Sequence, residues 1–435
     1  MKLLLLLLSA AWFSPSEVNA ATTGRFTTAV YSFERAFQDT ITSGSLRGYQ
    51  TVRLKATELG ARPELSFQTY GQFSHDFQDD WDSDPSYRLY HAYLRWDDAR
   101  DRYRLTLGRQ TVFSGVGVGR IDGLRLRVLP RKSIRLELYG GALVYGGQEG
   151  LRSLDRAAMF GGHLLLSDLL GSTVGVSLFR RSREVDSYTS GIRQLYGLQP
   201  LEIRPGEVEQ QMIGLDLNRR VGPTSLNMRW DLNTPKSWKT RRFEGNLRYR
   251  KAGWSFSGSY LYRTPYVDRN SIFAVFTQSS NQEVSIRANR RFSRHFSLFG
   301  EVSRVAYDGE DGYRANLGVN IFNGYVGYVK RTGFGGSADG LTGVLRYRLT
   351  PRISTSGSIG LTRFRTYLGS DVRSRVLANT LGVTVRPSSK LTVSIQGQSL
   401  SQDLQTTAED SFSGAGHDLR IFFSASTWFF RMGAE

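Results

Sequence analysis

The segment Trp254-Ser-Phe-Ser-Gly-Ser-Tyr-Leu-Tyr262 largely alternates bulky apolar side chains with small polar ones. The segment Tyr313-Arg-Ala-Asn-Leu-Gly-Val-Asn-Ile321 repeats the pattern, and similar segments recur between residues 26 and 430. Successive side chains of a β-strand point to opposite faces of the sheet, so each segment has one apolar and one polar face. The chain is therefore predicted to be all-β.

The connections between these segments indicate which all-β fold is expected. Short turns alternate with longer loops from end to end, a regularity that a soluble β-sandwich does not need. Short turns on one side and long loops on the other are typical of a bacterial outer-membrane barrel. The sequence thus predicts one closed antiparallel transmembrane β-barrel of about 22 strands (20–22), with short periplasmic turns, long extracellular loops and periplasmic termini. The predicted turns lie at 58–62, 97–101, 130–133, 167–171, 221–223, 252–253, 293–295, 323–324, 351–352 and 388–390, and the predicted loops at 76–86, 113–118, 143–155, 185–208, 266–280, 307–311, 333–338, 366–373 and 402–417.

The first residues predict export. Met1-Lys2 is followed by a run of leucines, and Val18-Asn19-Ala20 places small residues where a signal peptidase cuts. The apolar run is too short for an anchor, because a helix needs roughly 20 residues to cross a bilayer. We expect a signal peptide at residues 1–20 and a barrel at residues 21–435, located in the outer membrane of a Gram-negative bacterium and surrounded by its lipid.

Composition excludes several classes of function. The chain has no cysteine, and its 5 histidines show no metal-ligand spacing, so neither a metal nor another cofactor is predicted. No Ser/His/Asp set stands apart from ordinary lumen polarity, so we expect no enzyme. A nucleic-acid partner is not predicted either. The distinctive value is the formal net charge of +18.

The alternation predicts where this charge lies. If Leu124, Leu126 and Val128 face lipid, then Arg125 and Arg127 face the lumen. The alternative is that arginines near strand ends extend to lipid headgroups, although an outward arginine at the bilayer midplane costs about 2–4 kcal/mol. The same parity leaves few lumen carboxylates, namely Glu137, Asp216, Asp231 and Glu244. The predicted lumen-lining basic residues are Arg125, Arg127, Arg135, Arg229, Arg242, Arg248, Arg250, Arg263, Arg287, Arg314, Arg346 and Arg348.

A basic lumen attracts anions or an acidic protein, and the guanidinium fork suits carboxylates and phosphates. The stretch Leu105-Thr-Leu-Gly-Arg-Gln-Thr-Val-Phe-Ser-Gly-Val-Gly-Val-Gly-Arg-Ile-Asp-Gly-Leu-Arg-Leu126 resembles a passage of porin-type barrels of the alginate-export kind, which have an arginine-rich lumen. In architecture, the chain also resembles the sheath barrels of porin–cytochrome conduits. The resemblances imply two different occupants of the lumen and assign no individual binding residue.

Predicted width favours the second resemblance. Twenty-two tilted strands enclose a Cα diameter of roughly 40 Å, and we expect no plug domain. The predicted function is a wide, positively lined conduit that forms the sheath around an inserted partner, such as a multihaem cytochrome, for electron transfer. The alternative is an open or loop-gated porin for anions or acidic oligosaccharides. Loops 185–208 and 266–280 are the predicted constrictions.

Overall fold

The computed structural model describes residues 21–37, 40–78, 86–144, 154–185, 188–190, 201–203, 206–234, 238–264, 280–333, 336–365, 374–404 and 414–431. The predicted signal peptide at 1–20 lies outside these residues, as do most of loops 185–208 and 266–280. Their assignments stay predictions.

The described strands form one closed antiparallel barrel of 22 strands. Each strand pairs with its neighbours along the barrel, and the first strand also pairs with the last, from Thr22 opposite Arg431 to Phe37 opposite Gly416. The prediction of a single antiparallel barrel of about 22 strands is confirmed. The barrel strands are β1 (Ala21–Phe37), β2 (Thr40–Thr57), β3 (Leu65–Asp76), β4 (Tyr87–Asp97), β5 (Tyr103–Ser114), β6 (Gly117–Arg131), β7 (Ile134–Leu143), β8 (Ala157–Leu169), β9 (Ser172–Val185), β12 (Gly206–Val221), β13 (Thr224–Asn233), β14 (Lys239–Lys251), β15 (Trp254–Arg263), β16 (Asn281–Arg291), β17 (Phe296–Tyr307), β18 (Glu310–Ile321), β19 (Gly324–Thr332), β20 (Ser337–Thr350), β21 (Ile353–Arg365), β22 (Ser374–Val385), β23 (Leu391–Leu404) and β24 (Gly414–Arg431).

In the residues that the structure describes, two short elements lie outside the barrel. A separate hairpin pairs β10 (Tyr188–Ser190) with β11 (Leu201–Ile203), and a 3₁₀ helix spans Leu59–Ala61. Within the described part of the chain, no helix is long and apolar enough to span a membrane.

The two faces of the strands differ as the period of two requires. Leu124, Leu247 and Leu345 are 44%, 52% and 58% exposed although they are large and apolar. Such exposure fits a face that lipid covers. Aromatic side chains edge this face near one rim, where Trp254 stacks on Phe256 at 5.3 Å between ring centroids. Tryptophan is favoured at the membrane–water interface, so this rim lies at interface height.

The connections differ from the prediction at three places. The predicted loops 113–118 and 307–311 are two-residue turns, at 115–116 and 308–309. The predicted turn at Asn323-Gly324 lies one residue earlier, because Ile321 pairs with Gly324 and the left-handed residue is Phe322. We call the end of the barrel that holds the chain termini and the turn at 252–253 the terminal end, and the opposite end the far end.

Candidate functional site

The polar face of the strands encloses the lumen. Arg229 on β13 lies opposite Glu244 on β14, and Asp231 lies opposite Arg242. Strand residues two apart project to the same side, so long polar side chains accumulate on this face. Strand register places the arginines of the sequence prediction on it: Arg125, Arg127, Arg135, Arg229, Arg242, Arg248, Arg250, Arg263, Arg287, Arg314, Arg346 and Arg348.

Half of these arginines form ion pairs with carboxylates. Arg125 lies 2.9 Å and Arg127 3.6 Å from Glu137 oxygens, and Arg314 lies 2.7 Å from Glu283. These ion pairs offset the positive charge of the arginines that form them. The remaining members of this group are Arg229 with Asp231 at 2.9 Å, Arg242 with Glu244 and Arg287 with Glu301 at 3.9 Å.

The other six have no carboxylate within ion-pair distance in the described part of the chain. They lie on strands from three sectors of the barrel, so unneutralised positive charge surrounds much of the lumen. These arginines are Arg135, Arg248, Arg250, Arg263, Arg346 and Arg348.

The expectation of only four acidic lumen residues is wrong. Glu283 on β16 and Glu301 on β17 also lie on the polar face, where both contact Arg314. Asp97 at the end of β4 binds Arg95 at 2.7 Å and also contacts Arg104. All three carboxylates occupy lumen-facing positions in the alternation of their strands. Assigning lumen and lipid faces to every strand of the sequence would therefore have predicted them.

The turn between β5 and β6 folds into the lumen. We call residues 109–122 the inward hairpin. At its tip, the Val116 amide donates a hydrogen bond to Ser177 Oγ on β9 at 3.1 Å, and Arg229 on β13 donates to the Gly115 carbonyl at 3.3 Å. These strands are the third and fifth positions beyond β6 around the barrel. The hairpin therefore lies along the inner wall rather than projecting outward.

Burial of apolar side chains holds the inward hairpin against this wall. Val112 and Ile121 of the hairpin are completely buried, and Val116 is 4% exposed. The wall contributes side chains that would otherwise face lumen water, including Met159, which is also completely buried. Burying an aliphatic side chain stabilises a structure by about 1.5–3 kcal/mol relative to exposure. The whole cluster comprises Val112, Val116, Ile121, Tyr139, Leu143, Ala157, Met159, Phe179 and Met212.

Glycines allow the close approach of hairpin and wall. A Cβ on Gly117 would overlap the Tyr139 hydroxyl, and a Cβ on Gly119 would meet the Met159 sulfur. On the wall, a Cβ on Gly214 would overlap the Val116 side chain. The glycine-rich stretch that resembles alginate-export porins thus supplies flat backbone at a packed contact.

The same stretch also supplies a clamp at the base of the hairpin. Arg109 binds Asp122 through two hydrogen bonds of 2.8 Å, and this bidentate pair is almost fully buried. Gln110 donates to the Gly123 carbonyl at 3.1 Å. Gly108 has φ of 121°, a value that L-residues rarely adopt, where the hairpin leaves the wall. Sequence reasoning assigned no role to these residues, because the partners are matched only by strand register.

Aromatic side chains line the lumen beside the hairpin. Tyr70 on β3 stacks on Tyr90 on β4 at 4.7 Å between ring centroids, and the Arg53 guanidinium lies 4.9 Å above Tyr70. Arg120 of the hairpin lies 5.6 Å from the Tyr90 ring. In the sequence, a high tyrosine content is the only sign of this group.

The fold is shared with solved outer-membrane proteins. The ferric enterobactin receptor of Pseudomonas aeruginosa, in a mutant form with enterobactin, has a TM-score of 0.59 at 11% identity over 93% of this chain and 81% of that chain. The P pilus usher translocation pore gives 0.49 at 12% identity over 93% and 99%. OccAB3 of Acinetobacter baumannii gives 0.43 at 10% identity over 94% and 99%.

No protein-family model matches the sequence, and no curated protein is similar to it. The structural likeness shows the fold alone. The chain is a large β-barrel of the kind found in the outer membranes of Gram-negative bacteria, with a channel-like architecture.

Proposed function

We propose that the barrel is a non-catalytic pore for anionic solutes. The observation that carries the proposal is the set of lumen arginines without carboxylate partners, exemplified by Arg248 on β14 and Arg346 on β20. Fixed positive charge inside a low-dielectric wall raises the local concentration of anions. Small inorganic anions and acidic oligosaccharides, as in alginate-export porins, are both within this class.

The inward hairpin favours a solute pore over a sheath for a partner protein. Packed layers of β-structure lie about 10 Å apart, so a hairpin against the wall narrows a lumen of roughly 40 Å Cα diameter on that side. A multihaem cytochrome would need this space. Buried Val112, Ile121 and Met159 attach the hairpin to the wall, so clearing the lumen would expose them to water.

Ion selectivity in a planar bilayer tests the proposal. Under a salt gradient, we expect the zero-current potential to show a preference for anions. Charge reversal in Arg248→Glu/Arg346→Glu should lower the anion-to-cation permeability ratio about twofold or more, with a larger effect at low ionic strength, where screening is weaker.

The matched control compares single charge reversals: Arg294→Glu in an exposed turn between β16 and β17, and Arg248→Glu in the lumen. The turn variant should change the ratio much less than the lumen variant. A wild-type pore that prefers cations, or equal effects of both variants, would contradict the proposal.

A further inference from the structure

The lumen face of β14, β15 and β16 forms a trough at the terminal end. Ser257 on the middle strand lies opposite Arg248 on one side and Arg287 on the other. In the next row towards the rim, Ser255 lies between Arg250 and Asn289. Small hydroxyl side chains thus form the floor, and long cationic side chains form both walls.

The trough is open and strongly basic. Its volume is about 580 Å³, and its lining also includes Arg291, the last residue of β16. No carboxylate is among the lining residues. The nearest is Glu301, at 3.9 Å from Arg287. The remaining arginines of the trough have no ion pair in the described part of the chain.

One wall of the trough is held in place before any ligand arrives. The Arg287 guanidinium lies 4.6 Å above the Phe299 ring, a cation–π contact that restricts its motion. Hydrogen-bond donors then converge from three directions: the two arginine walls and the serine floor. An anionic ligand would find these hydrogen-bond donors already in position to bind it.

The spacing of the two walls selects the shape of the ligand. Arg248 and Arg287 are separated by one intervening strand, so their backbones lie about 9–10 Å apart. A tetrahedral oxyanion that accepts hydrogen bonds of about 2.9 Å from guanidinium groups on both sides fills such a gap. A single planar carboxylate has both oxygens on one side, so it accepts good hydrogen bonds from the arginines of only one wall.

We propose that this trough binds a phosphate group, either as inorganic phosphate or as a phosphate monoester. The inference rests on the proposed anion pore and names one solute class for it. The trough lies at the height of Trp254, whose stacking on Phe256 marks the membrane interface on the outer face. Phosphate would therefore bind at one mouth of the pore.

The barrel contains its own matched control. On β20 and β21, Arg346 lies opposite Ser356, and Arg348 lies opposite Ser354. These residues also lie near a terminal-end turn, at 351–352. The site has a single arginine wall, however, because the next strand beyond the serines places Gly382 and Thr384 opposite them. It supplies the same two charges as Arg248 and Arg250 but has no second arginine wall.

The experiment measures how phosphate blocks the chloride current of single pores. Added inorganic phosphate should reduce the wild-type chloride current with saturation, and Arg248→Ala/Arg250→Ala should raise the half-blocking concentration about tenfold or more. Arg346→Ala/Arg348→Ala should lower anion preference comparably but keep the half-blocking concentration within about twofold. Arg248→Lys/Arg250→Lys retains the charge but loses the fork, so it should keep anion preference and weaken the block.

Other solutes separate the possible results. If glycerol phosphate has the same half-blocking concentration as inorganic phosphate, the site accepts phosphate monoesters. If glycerol phosphate blocks only weakly, the site is specific for the free anion. Acetate, a single planar carboxylate, should block poorly because it meets only one arginine wall. Equal block by acetate, or equal losses in both alanine pairs, would overturn the phosphate site and leave the anion pore standing. A cation-preferring wild type would instead overturn the pore proposal itself.

Discussion

At the scale of single residues, the glycines of the inward hairpin matter because they have no side chain. Gly117 lies where a Cβ would overlap the Tyr139 hydroxyl, and Tyr139 is itself 5% exposed. The tyrosine is enclosed by the cluster beneath the inward hairpin, so it has little room to move. A larger residue at position 117 must displace the hairpin from the wall.

We therefore expect Gly117→Val to loosen the inward hairpin without unfolding the barrel. Overpacking of a close contact costs about 1–3 kcal/mol. A reporter cysteine, Val116→Cys, should be protected in the otherwise native chain, which has no cysteine of its own. In the Gly117→Val background, its reaction with a water-soluble thiol reagent should be about tenfold faster.

The matched control is Gly360→Val, because nothing lies within 4 Å of a Cβ at this strand glycine. This variant should leave the labelling rate of Val116→Cys unchanged. Equal acceleration by both valine variants would mean that valine in a strand, rather than the contact with Tyr139, loosens the hairpin.

At the scale of elements, β5 and β6 have two roles. Their terminal-end halves are ordinary barrel strands, where Leu105 pairs with Leu126 and Leu107 with Leu124. Beyond Gly108, the same ladder continues as the inward hairpin. A bidentate ion pair between Arg109 and Asp122 lies at the point where the roles change. The constriction is thus an extension of the wall rather than a separate plug.

A disulfide should show whether the hairpin resides in the lumen. The Val116 amide donates a hydrogen bond to Ser177 Oγ on β9, so Val116→Cys/Ser177→Cys should cross-link under mild oxidation. If the hairpin is permanently inward, cross-linking should leave the conductance of the pore within about 10–20% of the reduced value, because no part of the pore has to move.

Val116→Cys/Gly360→Cys provides the comparison, since nothing lies within 4 Å of a Cβ placed on Gly360 of β21, and this residue should not cross-link to the tip. A large fall in conductance on oxidation of the first pair would show instead that the hairpin visits the wall only part of the time. The element would then be a moving gate.

At the scale of the whole molecule, pairing between β1 and β24 closes the barrel. The bidentate contact of Arg35 with Asp418 and the contact of Arg25 with Ser426 join the two strands on the polar face. Closure leaves no free sheet edge, which a membrane-spanning sheet requires. It also fixes the lumen width, within which the hairpin takes up space on one side.

The competing sheath hypothesis makes a prediction at this scale. If the lumen carries solutes past the inward hairpin, protein extracted from its native membrane in mild detergent should contain no haem-staining partner and should conduct at once. The measurement is haem staining of the purified band together with planar-bilayer conductance. Stoichiometric co-purification of a multihaem cytochrome, with conductance only after its removal, would restore the sheath.

Strand content, strand number and the pattern of faces follow from local sequence. A period of two in side-chain direction is a property of each strand alone, so segments such as Trp254–Tyr262 reveal it without knowledge of their neighbours. Closure then follows from the exclusion of open edges in lipid, and an even count follows from both termini lying on the same side of the membrane. The turn at Asn323-Gly324 was misplaced by one residue because register, which sets the turn, depends on two strands together.

The site required the tertiary structure. Ion pairs such as Arg314 with Glu283 join different strands, so they depend on register as well as parity. The inward hairpin depends on contacts between residues 61 and 114 positions apart, Val116 with Ser177 and Gly115 with Arg229. Sequence alone determined a 22-strand barrel with an arginine-rich polar face, because alternation is local. Only the folded chain decided which arginines remain unpaired and which connection enters the lumen, because both depend on packing between distant strands.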